Sequence, residues 1–206
     1  MNRQCVIISG GERSPIQGIS ETAFIIACDK GYEYAKQAGI RPHLLVGDFD
    51  SYEGAIPSDL PVWRYQKEKD DTDTMIAIRY AVEQGFEQVD LFCALGGRLD
   101  HCYANLQAAA FAIAYGRCRV TIHGVDTKLY FISNDRICLP RQTGCALSVF
   151  ALSDVCEEVC IQGGKYPLQQ ATVTNRFPIG VSNQWAAEQV EISVGKGLLM
   201  IVVAKL

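Results

Sequence analysis

Residues 89–116, VDLFCALGGRLDHCYANLQAAAFAIAYG, contain the pattern that decides the fold. The stretch begins with an apolar run at residues 89–93, passes through a glycine-containing turn and continues as an apolar helical pattern over residues 101–115. Near-continuous apolar runs are typical of strands covered on both faces, and Gly116 stands where a glycine commonly ends a helix. The stretch therefore predicts a strand, a loop and a helix in succession, which is the unit of a parallel α/β sheet.

The remainder of the first 125 residues repeats this alternation of apolar runs and helical patterns. Two further helices are predicted over residues 32–38 and 74–84, each followed by a glycine. The alternation predicts an α/β domain with a mostly parallel sheet over residues 1–126. The other strands predicted in this domain are residues 5–9, 23–27, 44–46, 62–65 and 119–123.

After about residue 127 the long helical patterns stop and short β-rich runs follow one another. Residues 190–194 alternate apolar and polar side chains, as a strand with one solvated face does. Glycines at 163–164 and 195–197 are interpreted as turns. Residues 127–206 are therefore predicted to form a second, all-β domain. The other strands predicted there are residues 129–132, 146–150, 159–161 and 198–204.

Composition restricts the class of protein. The 206 residues are 49% hydrophobic and 20% charged, which is typical of a packed globular protein. Neither a signal peptide nor a run of about 18 apolar residues is present, so no membrane association is expected. The nine cysteines contain no C-x-x-C pair and indicate reduced thiols in a cytoplasmic protein. A net charge of −4 argues against a nucleic-acid partner, since such proteins usually present a basic face.

The charge is unevenly distributed. Residues 48–73 contain eight carboxylates against three basic residues. This concentration indicates either an acidic loop held in water or carboxylates gathered for a divalent cation.

The first acidic motif is the G-D-F-D-S sequence at residues 47–51, directly after a predicted strand. Residues two apart in extended chain project to the same side, so Asp48 and Asp50 can share one metal ion. The alternative is a polar turn in which Asp and Ser side chains bond to their own backbone.

The second acidic motif, K-D-D-T-D-T at residues 69–74, stands at the start of the helix over residues 74–84. Asp and Thr are common N-cap residues, so helix capping is a sufficient explanation for one of them. Capping leaves the number of carboxylates unexplained, because clustered carboxylates repel one another. A cation shared with Asp48 and Asp50 removes that cost.

The third motif is L-G-G-R-L-D-H at residues 95–101. Glycines at a strand-to-helix turn let backbone N–H groups approach phosphate oxygens, and the planar guanidinium of Arg98 can bind such oxygens. Asp100 is also a plausible helix cap, and a histidine such as His101 is more often a hydrogen-bonded helix residue than a proton carrier.

A fourth motif, G-V-S-N-Q-W at residues 180–185, lies in the β domain. Ser182 and Asn183 can hydrogen-bond a small heteroaromatic ring on which Trp185 stacks, or the segment is a turn followed by a core aromatic. The segments S-G-G at 9–11 and D-K-G at 29–31 follow the first two strands and can also meet a nucleotide.

Taken together and in this order, the motifs resemble those of the thiamine pyrophosphokinase family, whose members transfer a diphosphate group from ATP to thiamine. The resemblance covers nearly the whole chain and rests most firmly on G-D-F-D-S and G-G-R-L-D-H, with Asn105 shortly after. One departure is Lys30, where the family more often has a small residue after the aspartate.

The resemblance implies an α/β nucleotide-binding domain, a β-sandwich thiamine-binding domain, Mg²⁺, and a homodimer with thiamine sites near the subunit interface. It implies that Asp48, Asp50 and Asp73 bind Mg²⁺, that Arg98 neutralises charge at the transferred group and that Asp100 orients or ligates. It further implies ATP contacts from Asp29, Asp71, Thr72, Arg98 and His101 and thiamine contacts from Ser182, Asn183 and Trp185.

Other functional classes fit less well. The chain has no G-x-x-x-x-G-K-[ST] and no G-x-G-x-x-G motif. A haloacid-dehalogenase-like phosphatase also uses D-x-D but has it after the first strand, whereas Asp48 follows the third predicted strand. A non-catalytic thiamine or nucleotide sensor on the same fold is a remaining alternative.

Overall fold

The computed structural model describes residues 3–49, 52, 54–64, 71–116 and 118–206. The chain divides into two compact units, Met1–Val125 and Asp126–Leu206. Among the described residues, no helix is both long and apolar enough to cross a bilayer.

The first unit alternates strands and helices as predicted. Its described strands are β1 (Gln4–Ile8), β2 (Phe24–Cys28), β3 (Leu44–Val46), β4 (Val62–Trp63), β5 (Gln88–Phe92) and β6 (Arg119–His123). Its helices are α1 (Gly31–Gln37), α2 (Asp73–Glu83) and α3 (Leu99–Gly116).

All strand pairs of the first unit are parallel, in the order β4-β3-β2-β1-β5-β6. The mostly parallel sheet is therefore confirmed. Residues 5–8 of the central strand β1 are completely buried, as a strand covered on both faces requires. The order runs outward from β1 to β4 and then resumes on the other side of β1 with β5. Ligands of open α/β sheets bind at the carboxyl ends of strands at such a reversal.

Gly31, the first residue of α1, lies against the end of β1. A methyl group added at Gly31 would lie 2.0 Å from the carbonyl oxygen of Ile8 and 2.9 Å from that of Ser9. Only a residue without a side chain permits this approach, so Gly31 fixes how closely α1 packs on the sheet.

The second unit is all β, and its described strand pairs are antiparallel. Strand β11 pairs with β7 along almost its whole length on one edge, and with β9 and then β8 on the other. Strand β10 adds to the free edge of β9. The strands are β7 (Thr127–Pro140), β8 (Cys145–Ala151), β9 (Val155–Gln162), β10 (Leu168–Thr174) and β11 (Gln189–Lys205).

Two predictions in this unit were wrong. The predicted turn at residues 195–197 lies inside β11, where the register with β7 shifts between Val194 and Leu198. Both halves of β11 pair with the same long strand, so the glycines form a bulge and not a chain reversal; Gly197 has a positive φ of 98°. Strand β10 was not predicted, because its sequence LQQATVT is mostly polar and mostly exposed.

Replacing Gly31 with alanine tests the close approach of α1 to β1. We expect Gly31→Ala to lower the free energy of unfolding by about 1–3 kcal/mol, because the added methyl group collides with backbone atoms that cannot move independently. Gly10→Ala is the matched control, since its methyl group would lie 3.3 Å from Cβ of the exposed Lys30 side chain. Urea denaturation measures both variants, and equal losses for the two would contradict the steric explanation.

Candidate functional site

The carboxyl edge of the parallel sheet contains a cleft of about 820 Å³. The loops after β1, β2 and β5 and the start of α2 form its walls. The sheet thus brings together the motifs K-D-D-T-D-T and L-G-G-R-L-D-H and the segments S-G-G and D-K-G, although they are separated by up to about 90 residues in the chain. The lining includes Ser9, Gly11, Asp29, Lys30, Thr72, Asp73, Gly97, Arg98, His101 and Asn105.

Buried hydrogen bonds hold these loops in place. The hydroxyl groups of Ser9 and Thr74 share a bond of 2.9 Å that joins the loop after β1 to α2. The amide of Asn105 on α3 donates to the carbonyl of Ala94 at 2.7 Å and so fixes the loop after β5. Both anchors are buried, which makes these bonds little exposed to competition from water. The cleft is therefore shaped by the fold before any ligand enters.

Asp29 directly follows β2 and adopts the left-handed conformation, with φ of 43°. Its carboxylate packs against the backbone of Gly47, where a methyl group would lie 1.8 Å from Asp29 Oδ1. The backbone N–H of Phe49 donates to the same oxygen at 3.4 Å. The glycine of G-D-F-D-S is thus required because an aspartate side chain from the neighbouring strand occupies the space of its side chain.

Asp29 and Asp73 share a side-chain hydrogen bond, which requires one proton between the two carboxyl groups. Burial raises the pKa of Asp29 to about 7, and the bond to Asp73 and the charges of Asp73 and Asp48 act in the same direction. Asp29, Asp48 and Asp73 are therefore close enough to repel one another. Three residues that the sequence placed in two separate acidic motifs and one weak segment form one cluster.

Among the described residues, no group of three His, Cys, Asp or Glu side chains is arranged to hold a metal ion. Asp50, one of the three predicted Mg²⁺ ligands, lies outside the described residues. The donor set fits a hard divalent cation in type, because such ions take carboxylate oxygens and because the shared proton of Asp29 and Asp73 occupies the place of a missing positive charge.

Asp71 does not line the cleft. Its carboxylate contacts the guanidinium of Arg79 at 3.3 Å, one helical turn or more along α2. Thr72 is the N-cap of α2, and its hydroxyl accepts the backbone N–H of Met75 at 3.1 Å. Helix capping, which the sequence predicted for one residue of this motif, is therefore the role of Thr72. The cap places Asp73 in the first turn of α2, where it lines the cleft.

Phe49 is a residue that sequence reasoning missed as part of the site. It adopts the left-handed conformation, with φ of 55°, although its side chain is bulky. Its ring is buried with Tyr32, Leu45 and Leu60, and this packing offsets the strain. Phe49 thus turns the backbone between the two acidic residues of D-F-D and directs its own N–H at Asp29.

The loop after β5 presents a positive group to the cleft. Arg98 donates to Asp100 from Nε at 3.1 Å and from Nη2 at 2.5 Å, a two-bond pairing of exposed side chains. This pairing raises the pKa of Arg98 and lowers that of Asp100. Asp100 also accepts the backbone N–H of His101 at 3.0 Å. The side chain of His101 belongs to the lining of the cleft.

Asn183 and Trp185 of the G-V-S-N-Q-W motif lie in the interior of the second unit. Asn183 is 1% exposed and Trp185 is 9% exposed. The indole N–H of Trp185 donates to the carbonyl of Leu139 at 3.2 Å inside the main core of the unit. This packing agrees with the alternative interpretation, a turn followed by a core aromatic, and thiamine contacts from Ser182, Asn183 and Trp185 stay a prediction. Ser182 is exposed, in the left-handed conformation with φ of 57°, as are Val181 and Gln184 of the same motif.

Asn183 instead fixes the neighbouring segment between β9 and β10. Its Oδ1 accepts the backbone N–H of Tyr166 at 2.9 Å and its Nδ2 donates to the carbonyl of Tyr166 at 2.7 Å. These two hydrogen bonds hold the backbone of Tyr166, while 60% of the residue stays exposed. Tyr166 is thus a second aromatic residue next to the motif, and it is much more exposed than Trp185.

Comparisons with known proteins agree with the order of these units. The family model for the thiamin pyrophosphokinase catalytic domain matches residues 17–122, and the model for the thiamin pyrophosphokinase vitamin B1 binding domain matches residues 135–199. A curated thiamine pyrophosphokinase of Bacillus subtilis strain 168 is 27% identical over 211 residues, which cover 95% of this chain and 96% of the relative. The family resemblance found in the motifs is confirmed.

Solved structures share the fold over the whole chain. The crystal structure of a thiamine pyrophosphokinase from Bacillus subtilis superposes with a TM-score of 0.90 at 24% identity, covering 99% of this chain and 100% of that chain. The thiamin pyrophosphokinase of Geobacillus thermodenitrificans gives a TM-score of 0.83 at 27% identity, covering 98% of both chains.

Exchanging the two aromatic residues for alanine separates the core position from the surface position. We expect Trp185→Ala to lower the free energy of unfolding by about 3–5 kcal/mol, because it leaves a cavity in the core. Tyr166→Ala keeps both backbone bonds to Asn183 and should leave stability nearly unchanged, while thiamine affinity falls about 5- to 150-fold through loss of a stacking surface.

Thermal melts and calorimetric titration with thiamine measure the two effects. Trp63→Ala is a control for the loss of a tryptophan, because Trp63 is 38% exposed and contacts Tyr80 edge-on at 5.1 Å between ring centroids. We expect it to cost at most about 1.5 kcal/mol. Unchanged stability of Trp185→Ala together with lost thiamine binding would restore the stacking role to Trp185.

Proposed function

The chain belongs to the thiamin pyrophosphokinase family. We propose that it transfers a diphosphate group from ATP to the hydroxyl group of thiamine, with thiamine diphosphate and AMP as products, and that its two units bind different substrates. The first unit binds ATP and Mg²⁺, and the second unit binds thiamine. One observation carries the proposal for the first unit: three carboxylates meet at the edge of a cleft whose opposite loop presents an arginine and two glycines.

Asp48, Asp50 and Asp73 are the proposed Mg²⁺ ligands. Bound there, the cation neutralises charge on the phosphate oxygens of ATP. The proton that Asp29 and Asp73 share supports this assignment, since carboxylates gathered in a half-buried site need a compensating positive charge. Asp29 lies beside these ligands and accepts the Phe49 N–H, so it fixes the loop that bears Asp48.

Arg98 is proposed to bind the transferred diphosphate group. Its guanidinium already forms two parallel bonds to one carboxylate, and a phosphate group offers the same arrangement of acceptors. Asp100 orients Arg98 until the nucleotide arrives, and Gly96 and Gly97, both with positive φ, let backbone N–H groups approach the phosphates. His101 lines the cleft and is proposed to contact the nucleotide. Thr72 caps α2 and so positions Asp73, whereas Asp71 pairs with Arg79 and is proposed to support the start of the same helix.

The chain's own residues thus supply binding, orientation and charge stabilisation, which dominate the rate of phosphoryl transfer. The hydroxyl group of thiamine attacks the β-phosphorus of ATP and releases its proton to solvent. The bond between the β-phosphorus and the oxygen that bridges to the α-phosphate breaks, and AMP leaves.

In the second unit, Ser182, Asn183 and Trp185 stay the proposed thiamine contacts. Tyr166, whose backbone Asn183 holds, is a further proposed contact because it is exposed. A homodimer with thiamine sites near the subunit interface is proposed from the family resemblance. A cytoplasmic location is proposed because all nine cysteines are thiols, as a reducing compartment keeps them.

The reaction is tested by mixing the protein with Mg²⁺, ATP and thiamine. Thiamine diphosphate and AMP should form in equal amounts, and separation of the nucleotides by chromatography measures both. ADP with thiamine monophosphate as the product pair would contradict diphosphate transfer. Binding of both substrates without AMP release would identify a sensor in place of an enzyme.

Neutralising the carboxylate cluster should abolish most of the activity. We expect Asp48→Asn and Asp73→Asn each to lower kcat at least about 100-fold, roughly 2.7 kcal/mol of barrier, with folding retained because repulsion is relieved. Asp59→Asn is the matched control from the same acidic region, since Asp59 pairs with Arg41 on the surface. Normal rates for Asp73→Asn at limiting Mg²⁺ would exclude Asp73 as a ligand.

The raised pKa of Asp29 predicts a pH dependence of stability. The folded protein keeps this proton up to a pH of about 7, whereas the unfolded chain loses it near the ordinary value of 3.8. In EDTA, stability should therefore fall as pH rises from about 4 to about 7, and Mg²⁺ should restore it above pH 7.

Thermal melts of the wild type and of Asp29→Asn across this range isolate the contribution of Asp29. The variant lacks the titrating group and should show a smaller decrease with pH. Parallel pH profiles for the two proteins would show that Asp29 does not hold the proton.

A further inference from the structure

Lys30 is a cation of the cleft that the family motifs do not explain. It follows Asp29, occupies the N-cap position of α1 without forming a side-chain cap, and lines the cleft together with the loops after β1 and β5. Its side chain is exposed. Its place is fixed by the backbone of the sheet edge, since Cβ of Lys30 lies close to Gly10.

An aromatic ring holds the ammonium group of Lys30 in position. Nζ lies 5.5 Å from the centre of the Tyr34 ring. Tyr34 is in turn buried, and its hydroxyl donates to the carbonyl of Gly11 at 3.0 Å. The ring is therefore a rigid support that joins α1 to the loop after β1 and restricts the ammonium group to the wall of the cleft.

Lys30 differs from Arg98 and Asp29 in having no carboxyl group bonded to it among the described residues. Arg98 forms its two bonds with Asp100, and Asp29 is bonded to Asp73. Lys30 forms no ion pair with any described residue, and its nearest partner is the neutral Tyr34. An anion that enters the cleft can thus contact Lys30 without competing with a carboxylate, whereas at Arg98 it shares the guanidinium with Asp100.

We propose that Lys30 binds the polyphosphate chain of ATP from the wall of the cleft beside the loop after β1, with Tyr34 as the residue that positions it. The inference rests on the proposed function for the identity of the anion and adds a binding residue to it. Lys30 acts as a point charge on the phosphate oxygens, while Arg98 provides the two-bond contact. Its effect is on ATP binding, because it reaches the phosphates before the reaction begins.

The test is the substitution Lys30→Met, which removes the charge and keeps the length of the side chain. We expect the KM for ATP and the calorimetric Kd for ATP with Mg²⁺ to rise about 10-fold or more, with the KM for thiamine and the melting temperature unchanged. Lys30→Arg should keep ATP binding within about threefold of the wild type. The dependence of ATP affinity on KCl concentration should be weaker in Lys30→Met.

Lys36→Met is the matched control. Lys36 lies on the same helix, is also exposed, and its Nζ is 5.8 Å from the centres of the Tyr32 and Tyr52 rings, but it does not line the cleft. Its removal should leave ATP binding unchanged. ATP affinity of Lys30→Met within twofold of the wild type, or an equal loss in Lys36→Met, would overturn the inference. Calorimetry with ATP does not require turnover, so these outcomes are separate from a failure to form thiamine diphosphate.

Discussion

The repulsion among carboxylates at one edge of the parallel sheet is the constraint on which the first unit depends. Asp29, Asp48 and Asp73 come from three different segments, and parallel strands bring such segments to the same edge. Water cannot fully screen them, because burial already raises the pKa of Asp29. The proximity of Asp73 and Asp48 adds to this rise in the pKa of Asp29, and a cation bound among the carboxylates would relieve their repulsion.

Backbone conformations that are costly in isolation maintain this arrangement. Asp29 and Phe49 are both left-handed, and Gly47 has a φ of 146° where the Asp29 carboxylate packs on it. The buried ring of Phe49 and the close approach at Gly31 supply the packing that holds the strained segments. Stability contributed by the core is thus used to keep like charges near one another, as sites for cations and phosphates require.

The second unit illustrates how burial decides the role of a side chain. Trp185 and Tyr166 are both aromatic residues near Ser182, and either can stack on a heteroaromatic ring. The core encloses Trp185 because β7 offers the Leu139 carbonyl to its indole N–H, whereas Asn183 holds the backbone of Tyr166 and leaves its ring in solvent. The packing of the second unit thus decides which of the two aromatic residues lies in the core and which is exposed.

The sequence by itself determined the strand and helix order of the first unit, its parallel sheet, the all-β character of the second unit and the family, because periodicity, glycine stops and contiguous motifs are local properties of the chain. Arg98 and Asp73 were identified in the same way, since each lies in a motif next to a strand or helix end.

Only the tertiary structure decided the continuous strand β11, the turning of Asp71 toward Arg79, and the burial of Trp185 beside an exposed Tyr166. Each of these depends on a partner far away in sequence or on which side of a core a residue falls. Burial and pairing are properties of the packed chain, and no run of neighbouring residues specifies them.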